Sequence, residues 1–360
     1  MNDPFTPGLL TRLEERPRKI ALLRASRIGD FLCATPALRA LRLALPDAAI
    51  TLITLPMLRE IAQRLPYVDR VVEFPGYPGI AEQLFDARRA THFLREMQDE
   101  QFDLAIQMQG TGVNSNPFML LLGARTTAGF VRPGEGAGLL DAALPYPKHL
   151  HEVRCVLALT GFLGIPDQGE DILFPLHAED LRQAERLLMD ATPPLIGLHP
   201  SARDEARRWS PDRFAAACSA LLQQYGGTVI LVGEGQEREL GEVIAQCIDG
   251  PCCNLMGRTS LLTLGGVLAR LAILLTNDSG PAHIAYALGT PTVTIFGASS
   301  PALNGPLHAG PFRAVIHDVP CRPCGYGVCP IGNPCLEGVS VEQVVEAAKK
   351  VISISGREGR

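Results

Sequence analysis

The sequence predicts an α/β protein built from two doubly wound domains, and three observations carry that prediction. Apolar strand-like runs alternate with helical stretches from the start of the chain to about residue 108; the alternation gives way to Gly/Pro-rich loops between Gly129 and Pro193; it then resumes and runs to residue 297. Such alternation builds a parallel sheet covered by helices on both faces. At 360 residues the chain is long for one core, so two domains of ordinary size are expected.

In the first half, "KIALLRA" reads as a buried strand, "FLCATPALRALRLAL" as a helix, and "AITLIT", "VDRVVEF" and "FDLAIQM" as further strands, with a helical stretch ending near Met97. The middle contributes two helices, "HEVRCVLALTGFLGI" and "AEDLRQAERLLMDA". In the second half, strands "LIGLH", "TVILVG", "NLMG", "AILLTN" and "PTVTIFG" are separated by helices opening at Ser210, Gly235, Ser260 and Pro281. Domains are therefore expected at residues 1–175 and 190–338. The segment "SVEQVVEAAKKVIS" reads as a Ser-capped amphipathic helix over 340–355 that is expected to pack back on the first domain.

Composition narrows the function. A net charge of −5 argues against nucleic-acid binding as the main task, which needs a strongly basic surface. No apolar run approaches a membrane span and the N-terminal segment lacks a secretory signal's apolar core, so a cytoplasmic protein is expected. The turns "RASRIGD", "GTGVNS" and "GEGQER" all lack the full G-x-G-x-x-G pattern, which disfavours a nicotinamide enzyme.

Ligands of open α/β sheets bind beyond the carboxyl ends of the strands, which directs attention to three strand-to-helix turns. In "RASRIGDF", Gly29 permits a tight turn next to Arg27, and Asp30 either caps the following helix or acts as a base. In "HPSARDEARRWSPDRF", Ser201 supplies a hydroxyl, and Arg207 with Arg208 is either a solvated basic pair or a fork for phosphate oxygens. Trp209 reads as a packing anchor. In "NDSGPAH", Asp278 suits sugar hydroxyls, whereas Ser279, the amides around Gly280 and the following helix N-terminus suit a phosphate. His283, one turn into that helix, is either a buried hydrogen-bonding group or part of the same site.

Taken together, "SRIGDFLCATPALRALR", "GLHPSARDEARRWSPDRFAAA", "NLMGRTSLLTLGGVLARLAILLTNDSGPAHIAYALGTPTVTIFG" and "SPALNGP" resemble glycosyltransferase family 9, the ADP-heptose-dependent heptosyltransferases of lipopolysaccharide core synthesis. The resemblance spans most of the chain, and its most specific element is D-[ST]-G-x-x-H. It implies a GT-B fold, two Rossmann-like domains facing across a cleft, with acceptor on the first and nucleotide sugar mainly on the second. By position, Asp30 would be the general base and Arg207 would occupy the place of the family's phosphate-binding lysine. Asp278, Ser279, Gly280 and His283 would form the donor site, Ser201 would join the phosphate contacts, and Arg27 and Gly29 would lie on the acceptor side. The departures are Arg207 for the usual lysine and Ala282 for a bulkier residue. The expected partners are ADP-heptose and a lipopolysaccharide core or protein acceptor, with peripheral contact to the inner membrane allowed. Because the chain contains no D-x-D, no metal or other cofactor is expected in an inverting transfer.

One motif stands outside this scheme. "CRPCGYGVCPIGNPC" places Cys321, Cys324, Cys329 and Cys335 at C-x2-C-x4-C-x5-C spacing. It is either a loop of reduced thiols or a tetrahedral thiolate centre, and the density of thiols favours a structural Zn or Fe. Three alternative functions remain open to the sequence: a family 9-like transferase with another nucleotide sugar or a protein acceptor, a non-catalytic nucleotide-sugar-binding scaffold, and a metal-thiolate redox protein.

Overall fold

The computed structural model describes residues 3–358. The chain divides into two compact units, Met1–Pro175 and Leu176–Arg360.

The first unit carries six parallel strands: β1 (Lys19–Arg24), β2 (Ala49–Thr54), β3 (Arg70–Glu73), β4 (Leu104–Gln107), β5 (Thr126–Val131) and β6 (Ala142–Pro145). Their order is β3-β2-β1-β4-β5-β6, with Ile20 of β1 paired to Ile50 on one side and Leu104 on the other. Central strands read as unbroken apolar runs because both sheet faces are covered; Ile20, Leu22, Leu23, Leu104 and Ile106 have no solvent exposure. The stretch read as one helix after β1 is two, α1 (Ile28–Cys33) and α2 (Thr35–Ala44), meeting at Ala34 just before Pro36. Strands β5 and β6 lie in the region read from sequence as loops. The first is interrupted by Gly129 and the second is only four residues long, so neither gives a clear strand signal. Helix α3 (Glu152–Phe162) follows them.

The second unit opens with helix α4 (Ala178–Leu187), before its first strand. Its strands are β7 (Leu195–His199), β8 (Thr228–Leu231), β9 (Cys252–Asn254), β10 (Ile273–Asn277), β11 (Thr292–Phe296) and β12 (Phe312–Ile316). The order β12-β11-β10-β7-β8-β9 repeats the topology of the first sheet, again wholly parallel. Helices α5 (Pro211–Tyr225), α6 (Leu261–Leu268) and α7 (Gly280–Leu288) lie in the crossovers.

The C-terminal helix α8 (Val341–Glu358) corrects an expectation. Its apolar face of Val344, Val345, Ala348 and Val351 joins the core of the second unit, with Phe214, Cys218, Val293 and Ile295, rather than packing back on the first. The Ser340 cap is present, Gln343 N–H donating to Ser340 Oγ at 3.3 Å while Gln343 Oε1 accepts from Ser340 N–H at 2.9 Å. Amphipathic pattern and cap specify a helix with one buried face; they carry no information about which sheet receives it.

Candidate functional site

In each sheet the chain reverses direction of winding between its first and fourth strands, β1 and β4 in one unit and β7 and β10 in the other. Adjacent loops diverge at such a switch point and leave a crevice beyond the strand ends. The sequence-selected turns fall at these two places.

In the first unit the crevice is a cavity of about 430 Å³ whose lining includes Ser26, Asp30, Gln109, Thr111, Tyr146 and Glu152. The loops after β1 and β4 are joined where Ala25 N–H donates to Gln109 Oε1 at 2.9 Å. Behind them Gln107, fully buried, donates to Ser115 Oγ at 2.6 Å and accepts from Phe130 N–H at 3.0 Å. Gly112 has φ +80°, and a Cβ there would lie 2.1 Å from the Phe130 carbonyl oxygen, so only glycine lets this loop close onto β5.

Arg24 ends β1 as a charged residue in an otherwise apolar strand, and it is 2% exposed. Its Nε donates to the Asp30 carbonyl at 3.1 Å, its Nη1 to the Met108 carbonyl, and its Nη2 to Glu152 Oε1 at 2.8 Å. Tyr146 O–H donates to the other carboxylate oxygen of Glu152 at 2.9 Å. Burial opposes the charge on both members of the pair. The Glu152 and Asp30 carboxylates nevertheless hold the Arg24 pKa above its ordinary value, and Arg24 with the Tyr146 hydroxyl holds Glu152 below its own. Burial and the Glu152 charge push the Tyr146 phenol up, so it remains a donor. The network fixes the α1 turn that carries Asp30.

Arg27 is the N-cap of α1, without a side-chain cap bond; Gly29 is buried in the first turn, and Asp30 is the third helical residue and exposed. Asp30 is therefore not the helix cap.

In the second unit Arg207 ends a one-turn 3-10 helix, Glu205–Arg207. Its Nη1 lies 3.3 Å from Asp278 Oδ2 and its Nε 3.3 Å from Asp204 Oδ2. Asp278 is 3% exposed, whereas the Arg207 side chain is 35% exposed, so the pair presents its cation outward. The turn is pinned from below by Asn277, which donates to the Pro200 carbonyl at 2.7 Å and accepts from Trp209 N–H at 3.0 Å. Trp209, 1% exposed, donates from its indole to the Val339 carbonyl at 3.1 Å and is an anchor. Arg208 is spent on its own loop, donating to the carbonyls of Ala202 at 2.6 Å and Arg203 at 3.1 Å.

Ser279 is the N-cap of α7, but its hydroxyl is turned away from the helix amides, lying 3.1 Å from His199 Nδ1 and 3.1 Å from the Asn277 carbonyl. Burial drives the His199 pKa down to about 4, the Glu237 charge offsetting it only partly, so the imidazole is neutral near pH 7. Gly280 is the first residue of α7. Ser201 is buried on the loop after β7. His283 is buried one turn into α7 with its ring edge-on to Tyr286, centroids 5.8 Å apart. The structure thus brings Arg207 to Asp278 and places Ser279 and Gly280 beside them in sequence. His283 makes its ring contact on the Tyr286 side.

The structure gives the cysteine motif no support as a metal centre. Among the described residues no group of three or more His, Cys, Asp or Glu side chains is placed to hold a metal ion, so the expectation of Zn or Fe on Cys321, Cys324, Cys329 and Cys335 is left without support. Cys335 turns into the core with Leu336, while Cys321 is exposed. Burial raises the Cys335 thiol pKa, and the nearby Cys324 and Cys329 thiols add to that. The segment has another task. Ala206 N–H donates to the Gly327 carbonyl at 3.0 Å and Cys324 N–H to the Ala298 carbonyl at 3.0 Å, so it buttresses the turn carrying Arg207.

Sequence reasoning missed Arg24, Ser26, Gln109, Tyr146, Glu152, His199 and Asn277. The usable signal was a polar residue at the carboxyl end of an apolar strand, as with Arg24, His199 and Asn277.

Two wholly parallel doubly wound units, each with a crevice at its switch point, are the α/β architecture of the GT-B class. The family model described as "Glycosyltransferase family 9 (heptosyltransferase)" matches residues 90–333. The chain belongs to that family. It is 29% identical over 306 residues to lipopolysaccharide heptosyltransferase 2 of Salmonella typhimurium, covering 80% of this chain and 85% of that one. Among solved structures it resembles a glycosyltransferase family 9 protein of Veillonella parvula, with TM-score 0.80 and 20% identity over 94% of this chain and 98% of the other. It also resembles the E. coli heptosyltransferase WaaC solved with ADP, with TM-score 0.70 and 19% identity over 92% and 99% of the two chains. No helix among the described residues is long and apolar enough to cross a membrane.

Proposed function

We propose that this glycosyltransferase transfers heptose from ADP-heptose to a hydroxyl of a lipopolysaccharide core or related acceptor, with inversion and without a metal ion. The carrying observation is the Arg207–Asp278 pair at the start of α7. A guanidinium and a set of helix N-terminal amides are what a leaving diphosphate requires, and a buried carboxylate held by that arginine suits sugar hydroxyls. Two similar proteins, a lipopolysaccharide heptosyltransferase and a heptosyltransferase solved with ADP, support the same reading of donor and acceptor.

The mechanism assigns the acceptor to the first unit and the donor to the second. Asp30 takes the proton of the acceptor hydroxyl, and that oxygen forms a bond to the anomeric carbon. The bond from that carbon to the β-phosphate oxygen breaks on the opposite face, its electron pair leaving with ADP. Arg207 and the amides at Ser279 and Gly280 neutralise the charge that develops on the diphosphate. Sequence supports metal independence, since no D-x-D is present to clamp a cation. Our reading puts the reaction in the cytoplasm, with peripheral contact at the inner membrane where a lipopolysaccharide acceptor would be met.

The test is a transfer assay on the full chain with ADP-heptose and a core glycolipid acceptor, in EDTA, with the anomeric configuration of the product read by NMR. ADP release with an inverted product is expected. A divalent-ion requirement or retained configuration overturns the mechanism, and binding of ADP-heptose without transfer returns the scaffold reading.

A further inference from the structure

His199 is a buried ionisable group of the second unit to which the transfer mechanism gives no role. It ends β7 and is 6% exposed. Its Nδ1 lies 3.1 Å from Ser279 Oγ and 3.3 Å from Thr276 Oγ1. The Asn277 carbonyl accepts from both hydroxyls, from Thr276 at 3.0 Å and from Ser279 at 3.1 Å. With both hydroxyl protons directed there, the proton of the neutral ring falls to Nδ1, which donates to the Ser279 oxygen. The Ser279 hydroxyl is thus held from two sides, its proton on a carbonyl and its oxygen on the imidazole.

A serine at an N-cap ordinarily turns its oxygen onto the amides of the first turn, which stabilises the helix. Ser279 has the extended backbone of a capping residue, φ −157° and ψ 172°, yet makes no side-chain cap bond. Pro281, the second helical residue, carries no N–H, and the Ala282 N–H donates to the Ser279 carbonyl at 3.1 Å. The amides of Ser279 and Gly280 precede the first intrahelical bond and have no acceptor within α7. A hydroxyl swung into the cap position would stand over that mouth, in the place an anion takes at a helix N-terminus. Drawn back to His199, it leaves the mouth open next to the Asp278 that Arg207 holds.

We infer that His199 is a positioning residue for the donor: its Nδ1 withdraws the Ser279 hydroxyl from the N-terminus of α7 and keeps that terminus uncapped for a diphosphate. The inference rests on the reading of this turn as the diphosphate site and adds to it a reason for an imidazole at the end of β7. Ser279 then serves the anion through its amide and not through its hydroxyl.

The experiment is calorimetry of ADP binding to the full chain and its variants. His199→Leu removes the ring donor and is expected to weaken ADP by about fivefold, because the released hydroxyl competes with the anion for the helix mouth. Ser279→Ala added to the His199→Leu chain deletes the competitor and should bring ADP affinity back to within about twofold of wild type. His199→Asn, whose side-chain amide puts an N–H where the ring has Nδ1–H, should also stay within about twofold. A histidine that merely packs the strand end would not be rescued by deleting a hydroxyl beside it. His199→Phe, an apolar ring of similar shape, carries the same expectations where His199→Leu does not fold. Unweakened ADP binding in the apolar variant, or no recovery on adding Ser279→Ala, overturns the inference. A wild-type chain that binds no ADP overturns the diphosphate reading and the inference with it, whereas binding that falls in Arg207→Ala but not in His199→Leu overturns the inference alone.

Discussion

The two units share a strand order and both place their candidate site at the switch point, yet they dispose of an arginine in opposite ways. In the first unit Arg24 lies in the strand, is buried, and is consumed by two carbonyls and a carboxylate. In the second, Arg207 sits one short helix beyond the strand, on a partly exposed turn, with a buried carboxylate behind it. The same topology therefore gives one crevice whose cation is structural and another whose cation faces outward. Placement along the loop, more than residue type, decides which crevice suits an anion.

This contrast can be broken in four places. The largest effect is expected for Asp30→Asn, which should lower kcat by about 100- to 10,000-fold, the usual worth of general-base help, while ADP affinity measured by calorimetry stays as in the wild type. Parallel loss of ADP binding would show that the two sites are not separable in role.

Next comes Glu152→Gln. It leaves the buried Arg24 charge without its counter-ion, and breaking such pairs costs about 3 kcal/mol or more, read as a fall in the urea midpoint. The pair also fixes a pH dependence. The Glu152 pKa is depressed in the folded state, so its contribution is present above the unfolded carboxylate range and is lost as pH falls through the folded value. Acid unfolding of the wild type should therefore have a component that Glu152→Gln lacks.

Arg207→Ala tests the outward-facing cation. Loss of charge-assisted hydrogen bonds to a diphosphate should weaken ADP by about 10- to 100-fold, with methyl heptoside binding unaffected. Arg207→Lys, which keeps the charge and loses the fork, should fall between.

The smallest change concerns His199. Its folded pKa is held near 4 by burial, below the ordinary imidazole value, so the unfolded chain binds the extra proton first. Stability should decline as pH falls from about 6.5 towards 4, and His199→Gln should flatten that slope. A slope unchanged in the variant would mean that the imidazole is not buried as the structure has it.

Much of the fold was legible because its signals are local. Apolar runs bounded by Gly, Pro and Ser located the central strands, and the helix starts read at Ser210, Pro281 and Ser340 fall within one residue of the observed Pro211, Gly280 and Val341. The edge strands β6 and β12 were not legible, since short or partly exposed strands have no sustained period, and the interior strand β5 was masked by its Gly129. The turns carrying Asp30, Arg207 and Asp278 were found because a strand followed by Gly, Ser or Asp before a helix marks a strand end. Arg24, Tyr146 and Glu152 escaped notice because they lie far apart in sequence and become one network only when β1, the segment after β6 and α3 meet.

By itself the sequence determined the class of fold, the repetition of that fold, and the loops that could carry chemistry, because strand periodicity, turn residues and helix caps act over a few residues. Only the tertiary structure decided that α8 covers the second sheet, that Cys335 is buried in the core, and that Arg24 is enclosed by its partners while Arg207 stays partly exposed beside Asp204 and Asp278. Those outcomes depend on which apolar face and which charge find partners across the chain, and no local pattern encodes that choice.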